Sequence, residues 1–187
     1  MIIGITGPSG AGKSTVTQYL NKEYGFFVID ADKISREITA KGSKVLIEIA
    51  DEFGYSYITD DGELDRKKLA KLVFSDKEKL KKLNEITHKH IVEKRELLVK
   101  NNFNAIIDAP LLFETSLDVM CDKIILVLCD EAKCIERIMK RDFISFEEAT
   151  KRIKSQNNYD NYISKCHLVV NNDGEDLSKQ LAEVGKW

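Results

Sequence analysis

The sequence predicts a three-layer α/β/α fold around a five-stranded parallel sheet, on three observations. Five short, nearly unbroken apolar runs recur along the chain, at 2–6, 26–29, 105–107, 124–128 and 168–170. Strands covered by helices on both faces lose the polar–apolar alternation of a half-exposed sheet and read this way. Stretches of helical periodicity separate the runs. Finally, Gly7, Asp32 and Asp108 fall just past the first three runs, and parallel α/β folds hold their ligands at the carboxyl ends of strands.

The elements follow in order. Residues 2–6 form a buried strand that stops at Gly7. Residues 13–24 carry Val16, Tyr19 and Leu20 at helical spacing, and Gly25 closes that helix. The second strand ends in Asp30-Ala31-Asp32, with a helix expected from about Lys33. From 33 to 101 no strand is expected. Val45, Ile49 and Phe53 repeat every four residues, Leu69 and Val73 do the same, and Gly54 and Asp61-Gly62 are breaks. Ser75-Asp76-Lys77-Glu78 reads as a capping box opening a helix with Leu80, Leu83, Ile91 and Leu98. A loop is expected at 101–104, and Asp108-Ala109-Pro110 closes the third strand. Helical pattern returns over 132–140. Ser145-Phe146-Glu147-Glu148 is a second capping box, opening a helix toward Gln156, and 176–184 is the last helix.

Composition narrows the function classes. The chain has 187 residues, 43% of them hydrophobic, and a formal net charge of -2. That suits one globular unit and argues against a protein built to coat nucleic acid or anionic membrane. Cys121, Cys129, Cys134 and Cys166 show neither CxxC pairing nor zinc spacing and are expected as reduced, mostly buried thiols. The N-terminus lacks the basic start of a signal peptide, and the apolar run 124–129 is too short to span a bilayer. A cytoplasmic protein is expected. Trp187, as the last residue, is expected to be loosely ordered.

Gly7-Pro8-Ser9-Gly10-Ala11-Gly12-Lys13-Ser14 fits GxxxxGK[ST] without a mismatch, between a predicted strand and a predicted helix. Glycines let successive backbone N–H groups turn inward around an oxyanion, and the following helix adds its positive end. Lys13 is a point charge for the outer phosphates of ATP. The Ser14 hydroxyl is a ligand for Mg2+, and Thr15 adds a hydroxyl near the inner phosphate. The motif specifies a P-loop nucleotide-binding fold.

Asp32 has two chemical roles open: a metal contact through water, or acceptor of a proton from an alcohol attacking the γ-phosphorus. A carboxylate there would repel a phosphate acceptor, which tilts the reading toward alcohol phosphorylation. An N-cap role is the bland alternative. Asp108, ending the third strand, is either a metal-shell ligand or a turn residue before Pro110, and Asp30 orients backbone or Lys13. Arg137 and Arg141 share a helix face, with Arg152 past a turn. They make a lid over a triphosphate or a solvated basic face. His88 and His90 point different ways on a helix, and Arg66 meets a substrate phosphate or forms a salt bridge.

Along nearly its whole length the chain resembles the dephospho-coenzyme A kinases. The resemblance rests on Asp30-Ala31-Asp32, Asp65-Arg66 with Val73-Phe74, His88, and Asp108-Ala109-Pro110-Leu111-Leu112-Phe113-Glu114. Arg137, Arg141, Arg152 and Gln156, and Asn172 with Gly174, complete it. It implies ATP-dependent phosphorylation of the ribose 3′-hydroxyl of dephospho-coenzyme A, the last step of coenzyme A synthesis. It also implies a fold with a helical substrate-binding insertion and a helical lid. On it Asp32 is the general base, Lys13 and Ser14 contact phosphate and magnesium, and Arg141 is the lid arginine. Arg66, His88, Leu112 and Gln156 lie near the acceptor, and Arg137 and Asn172 near the nucleotide. Expected segments are a nucleotide-binding core (1–32, 102–136 and 157–187), a helical acceptor-binding region (33–101) and a lid (137–156). The chain departs from the family pattern at Lys89, usually Pro, and at Cys166-His167, usually Ala-Asp. Expected partners are ATP and dephospho-coenzyme A, with no nucleic acid or membrane, in a monomer or small homo-oligomer. A kinase of a nucleoside or its monophosphate would need several Arg in the helical region, where Arg36, Arg66 and Arg95 are available. A GTP-gated switch would need an Asn-Lys-x-Asp segment, which does not occur.

Overall fold

In the computed structural model five parallel strands lie in the order β2-β3-β1-β4-β5. They are β1 (Ile2–Thr6), β2 (Phe27–Asp30), β3 (Ala105–Asp108), β4 (Lys123–Leu128) and β5 (Leu168–Asn171). The structure describes residues 1–100, 104–174 and 176–187, without the side chains of Asp30, Asp32, Arg95 and residues 98–100. Of the loop expected at 101–104, only Asn104 is therefore described.

In the central strands the unbroken apolar runs have the predicted cause, but at the β2 edge of the sheet Phe27 and Val28 are exposed. Every residue of β1 is buried, and side chains alternate between two cores. Ile3, Ile5, Ile106, Ile125 and Val127 meet Val16 and Leu20 of α1 (Lys13–Tyr24) on one face. Ile2, Ile107 and Ile124 meet Ile34 of α2 (Ala31–Ile38) and Ile91 on the other. Two covered faces make the three layers. Register aligns the chemistry: Asp30 pairs with Asp108, and Asp108 with Ile5, just before the phosphate loop.

The region between β2 and β3 is helical, as expected. After α2 it holds α3 (Lys44–Phe53), α4 (Arg66–Phe74) and α5 (Lys77–Lys100). Val45, Ile49, Leu69 and Val73 form a small core of their own there, ringed by Leu72, Leu80 and Leu83. Past β4, α6 (Glu131–Asp142) and α7 (Phe146–Lys154) pack as a hairpin through Ile135, Ile138 and Ala149. The helix after β5 is short: α8 (Leu177–Leu181) gives way to a 3-10 turn at Val184–Lys186.

Several local expectations are corrected. The second strand begins at Phe27, because Phe26 is buried as the residue leading into it. The capping box at Ser145 forms in full, but the one at Ser75 does not. Asp76 accepts from the amides of Glu78 and Lys79 instead, and the Ser75 hydroxyl donates back to Leu72 of α4. Two helices meet at this point, and the longer-reaching carboxylate of Asp76 is the better cap. Asp32 is the second residue of α2, inside the helix, so it is not the N-cap. Trp187 packs on the first core, with the Lys123 ammonium 5.5 Å from its ring centre. The four cysteines are free, and only Cys134 is fully buried.

Candidate functional site: a phosphate cradle under arginines

The loop between β1 and α1 can adopt its shape only with glycine at its bends. Gly7 has φ 145, and a Cβ there would strike the Val127 carbonyl oxygen of β4. Gly12 has φ 91 and immediately precedes α1, where a Cβ would strike the Asn172 amide. The first amides of α1 and the positive end of its dipole are thereby aimed into the loop. The Lys13 ammonium folds back over the loop, donating to the carbonyls of Gly7 (2.8 Å) and Pro8 (3.1 Å). Burial pushes the Lys13 amine below its usual range, and the nearby Asp108 carboxylate opposes that shift. An incoming polyphosphate would supply the missing counter-charge.

Beneath the loop lies a hydrogen-bonded floor. Arg137 of α6 donates through Nη1 to the carbonyls of Gly10 (3.1 Å) and Ala11 (3.3 Å) and to Cys129 Sγ (3.2 Å), and through Nη2 to the carbonyl of Asn172 (2.9 Å). Buried Asn172, just past β5, donates its Nδ2 to the Ala11 carbonyl at 2.9 Å. The structure therefore places Arg137 and Asn172 as ties from α6 and β5 to the loop backbone. Burial, and after it a bond to the Asp173 carboxylate, pushes the Cys129 thiol up to about 12. Sequence reasoning passed over Cys129, because its contacts come from chain segments far apart.

Above the loop a cavity of about 1040 Å³ opens. Its lining brings Ser9, Gly10, Gly12, Lys13, Ser14 and Asp108 together with Arg141, Arg152 and Gln156, and Arg137 reaches it from the floor. Arg141 reaches Ser9 Oγ at 3.4 Å. Gln156, expected near the acceptor, accepts from the Ser9 amide through Oε1 at 2.8 Å and so bridges the segment after α7 to the loop. Asp108 accepts from Thr17 Oγ1 at 3.5 Å. Ser14 and Asp108 offer only oxygen donors, and no cluster of three or more His, Cys, Asp or Glu suits a metal among the described residues. That set fits a hard cation that keeps most of its water and substrate oxygens. Gly7 and Ala11 are buried in the turn, Pro8 is half-buried and Thr15 is exposed.

A second, apolar cavity of about 280 Å³ lies within the helical region, walled by Ile49, Leu69, Val73, Leu83 and Ile91. Phe74 and Leu111 line both cavities. Arg66 borders the second one, its Nη2 bonded to Thr39 Oγ1 (2.5 Å) and the Ser35 carbonyl (3.3 Å) of α2. Leu112 lines neither; it is fully buried in the second core, and its neighbour Leu111 takes the cavity-facing position. His88 is exposed on α5 in a shallow groove with Lys77, Asn84 and Ser116. His90 lies 3.4 Å from Glu93 and 3.9 Å from Glu48 of α3, a largely covered position between the two helices. Among the described residues no helix is long and apolar enough to cross a membrane.

Comparison with known proteins agrees with this geometry. The family model described as dephospho-CoA kinase matches residues 1–177. A Fusobacterium nucleatum protein named dephospho-CoA kinase is 46% identical over 97% of this chain and 95% of its own. A Thermus thermophilus crystal structure superposes with TM-score 0.67 at 31% identity, covering 100% of this chain and 96% of that one. A dephospho-CoA kinase from Campylobacter jejuni does so with TM-score 0.59 at 28% identity, over 99% and 95%. A match that runs through the loop, the helical region and the α6–α7 hairpin, and not through the loop alone, assigns this chain to the dephospho-CoA kinase family.

Proposed function

We propose that the two cavities divide one reaction: the larger holds ATP, and the smaller takes the apolar part of dephospho-coenzyme A. As a member of its family the chain is a kinase of the last step of coenzyme A synthesis, transferring the γ-phosphoryl of ATP to the ribose 3′-hydroxyl. The observation that carries the reading is one cavity lined by both the phosphate loop and Arg141 and Arg152. Phosphoryl transfer needs little from a protein beyond positioning and charge stabilisation, and these residue types supply both.

The ribose 3′-oxygen attacks the γ-phosphorus, the bond from that phosphorus to the β–γ bridging oxygen breaks, and ADP leaves. The Asp32 carboxylate takes the hydroxyl proton. Support for that role comes from the backbone, which puts Asp32 in the first turn of α2 at the carboxyl end of β2. Lys13 leaves its two loop carbonyls to meet the outer phosphates, and Arg141 and Arg152 approach them from the lid. Magnesium bound with ATP would neutralise charge on the phosphate oxygens; Ser14 and Asp108 are the oxygen donors that would hold it. Arg137 and Asn172 hold the loop's shape beneath the nucleotide. Residues 33–101 serve as the acceptor region and 137–156 as the lid. The reduced thiols suit the cytoplasm.

ADP release measured over a panel of acceptors tests the reading. Dephospho-coenzyme A is expected to support turnover at least about 100-fold above AMP and adenosine. Both lack the arm that the apolar cavity would bind. Equal rates with AMP would instead assign a nucleoside-monophosphate kinase.

A further inference from the structure

The two lid arginines share an acidic partner that the reaction itself does not explain. Asp142, the last residue of α6, accepts from Arg141 in a two-pronged pair, Nε to Oδ1 at 2.8 Å and Nη2 to Oδ2 at 2.9 Å. Its Oδ2 also accepts from Arg152 Nη1 on α7 at 2.5 Å. Among the described residues no other acid bonds either guanidinium. Asp142 is the most buried of the three, with 25% of its side chain exposed against 56% for Arg141 and 51% for Arg152. Both arginines line the nucleotide cavity and Asp142 does not.

A guanidinium has two usable edges. Asp142 takes the Nε/Nη2 edge of Arg141 and leaves its Nη1 donors; on Arg152 it takes a single Nη1 contact. Without an anion between them two guanidiniums repel, and each long side chain is free to leave for solvent. We propose that Asp142 is a positioning residue, holding Arg141 and Arg152 side by side so that their remaining donors face the triphosphate. The proposal rests on the reading of both arginines as phosphate contacts. It extends that reading by assigning how the pair is aligned and how α6 and α7 act as one lid.

The test is Asp142→Asn, which keeps size but removes the charge and turns an NH₂ group toward the arginines. With ATP varied at saturating acceptor, kcat/KM is expected to fall about 10- to 100-fold, the scale of a small misplacement of catalytic groups. Asp142→Glu, which retains the charge, should recover part of it. In an Arg141→Met/Arg152→Met background the same Asp142→Asn change should cost less than about twofold, because the groups it aligns are gone. An equal loss in that background would make Asp142 a fold support only and overturn the proposal. So would unchanged or tighter ATP use by Asp142→Asn, which would mean that the carboxylate merely sequesters the arginines. If the double Met variant matched wild type, the phosphate role of the arginines would fail as well. An impaired double Met variant beside a normal Asp142→Asn would sink the alignment alone. Should Asp142→Asn fail to fold, the Asp142→Glu variant in both backgrounds gives the same reading: part of wild-type activity with the arginines present, and no effect without them.

Discussion

The floor of the phosphate loop and the helical region beside it are built by opposite means. The floor is a set of long-range polar ties inside the main core: Arg137 to Gly10, Ala11 and Asn172, and Asn172 to Ala11. These surround backbone carbonyls that would otherwise be buried without donors, a costly state. The helical region has a cluster of its own of only four buried residues with a partly exposed ring, and ion pairs such as Lys82–Glu52 and Lys94–Glu37 on its outside. Exposed pairs of that kind add little. A rigid floor suits a charge-binding site whose donors must not move, and a region with a small core opens more readily. If the two cavities divide the reaction as proposed, precision is concentrated where charge would develop and adaptability where the acceptor's apolar arm would be received.

The largest expected effect lies at the seam of these regions. Asp32 is carried by α2 of the helical region yet stands at the end of β2. Asp32→Asn should lower turnover by about 10²–10⁴ with a much smaller loss of ATP affinity. Steady-state rates and calorimetric titration with magnesium-ATP measure the two separately. An equally large loss of nucleotide binding would move Asp32 from proton acceptor to the metal's surroundings and would tie it to the floor.

Next is the contrast in cores. Ile49 is fully buried at the centre of the helical region and borders its cavity. Ile49→Ala should destabilise that region by about 2–5 kcal/mol. If the regions open independently, amide exchange over 33–100 should quicken and acceptor KM rise while ATP affinity stays within about threefold. Parallel loss of ATP binding would show that floor and helical region unfold as one unit, and the comparison would break.

What could be read in the sequence follows the same division. All five strands, the loop and most helices were legible because each is announced by residues close together: an unbroken apolar run, a glycine pattern, a helical repeat. The full capping box at Ser145 is of this kind. Ser75 misled because the next residue, Asp76, competes for the same amides. The ties that shape the site were not legible. Gln156 to the Ser9 amide spans 147 residues and Asn172 to Ala11 spans 161, so neither leaves a local pattern. Asp142 reads as one more surface acid until α6 and α7 are folded together. Leu111 and Leu112 are adjacent and alike in composition, and only the backbone decides that one faces the cavities and the other the core.

The smallest effect probes the floor directly. Burial raises the Cys129 thiol from 9.0 to about 12. In the unfolded chain the thiol ionises near pH 9; in the folded protein it holds its proton. Its contribution to stability is therefore complete below pH 9 and is lost as pH climbs toward 12. Cys166, raised to about 11, and Tyr159 and Tyr162, raised to about 12, act in the same direction. The melting temperature should fall from pH 9 upward, and Cys129→Ala should make the fall shallower without abolishing it. Thermal scans between pH 7.5 and 11 on both proteins check this. Cys129 touches Arg137 and the Asn172 carbonyl, so ionising it disturbs the same ties that hold Gly10 and Ala11. Wild-type ATP affinity should therefore weaken over that alkaline range more than that of Cys129→Ala. Identical alkaline slopes for the two proteins would mean that the thiol is not part of the floor's polar network, leaving Arg137 and Asn172 to hold the loop alone.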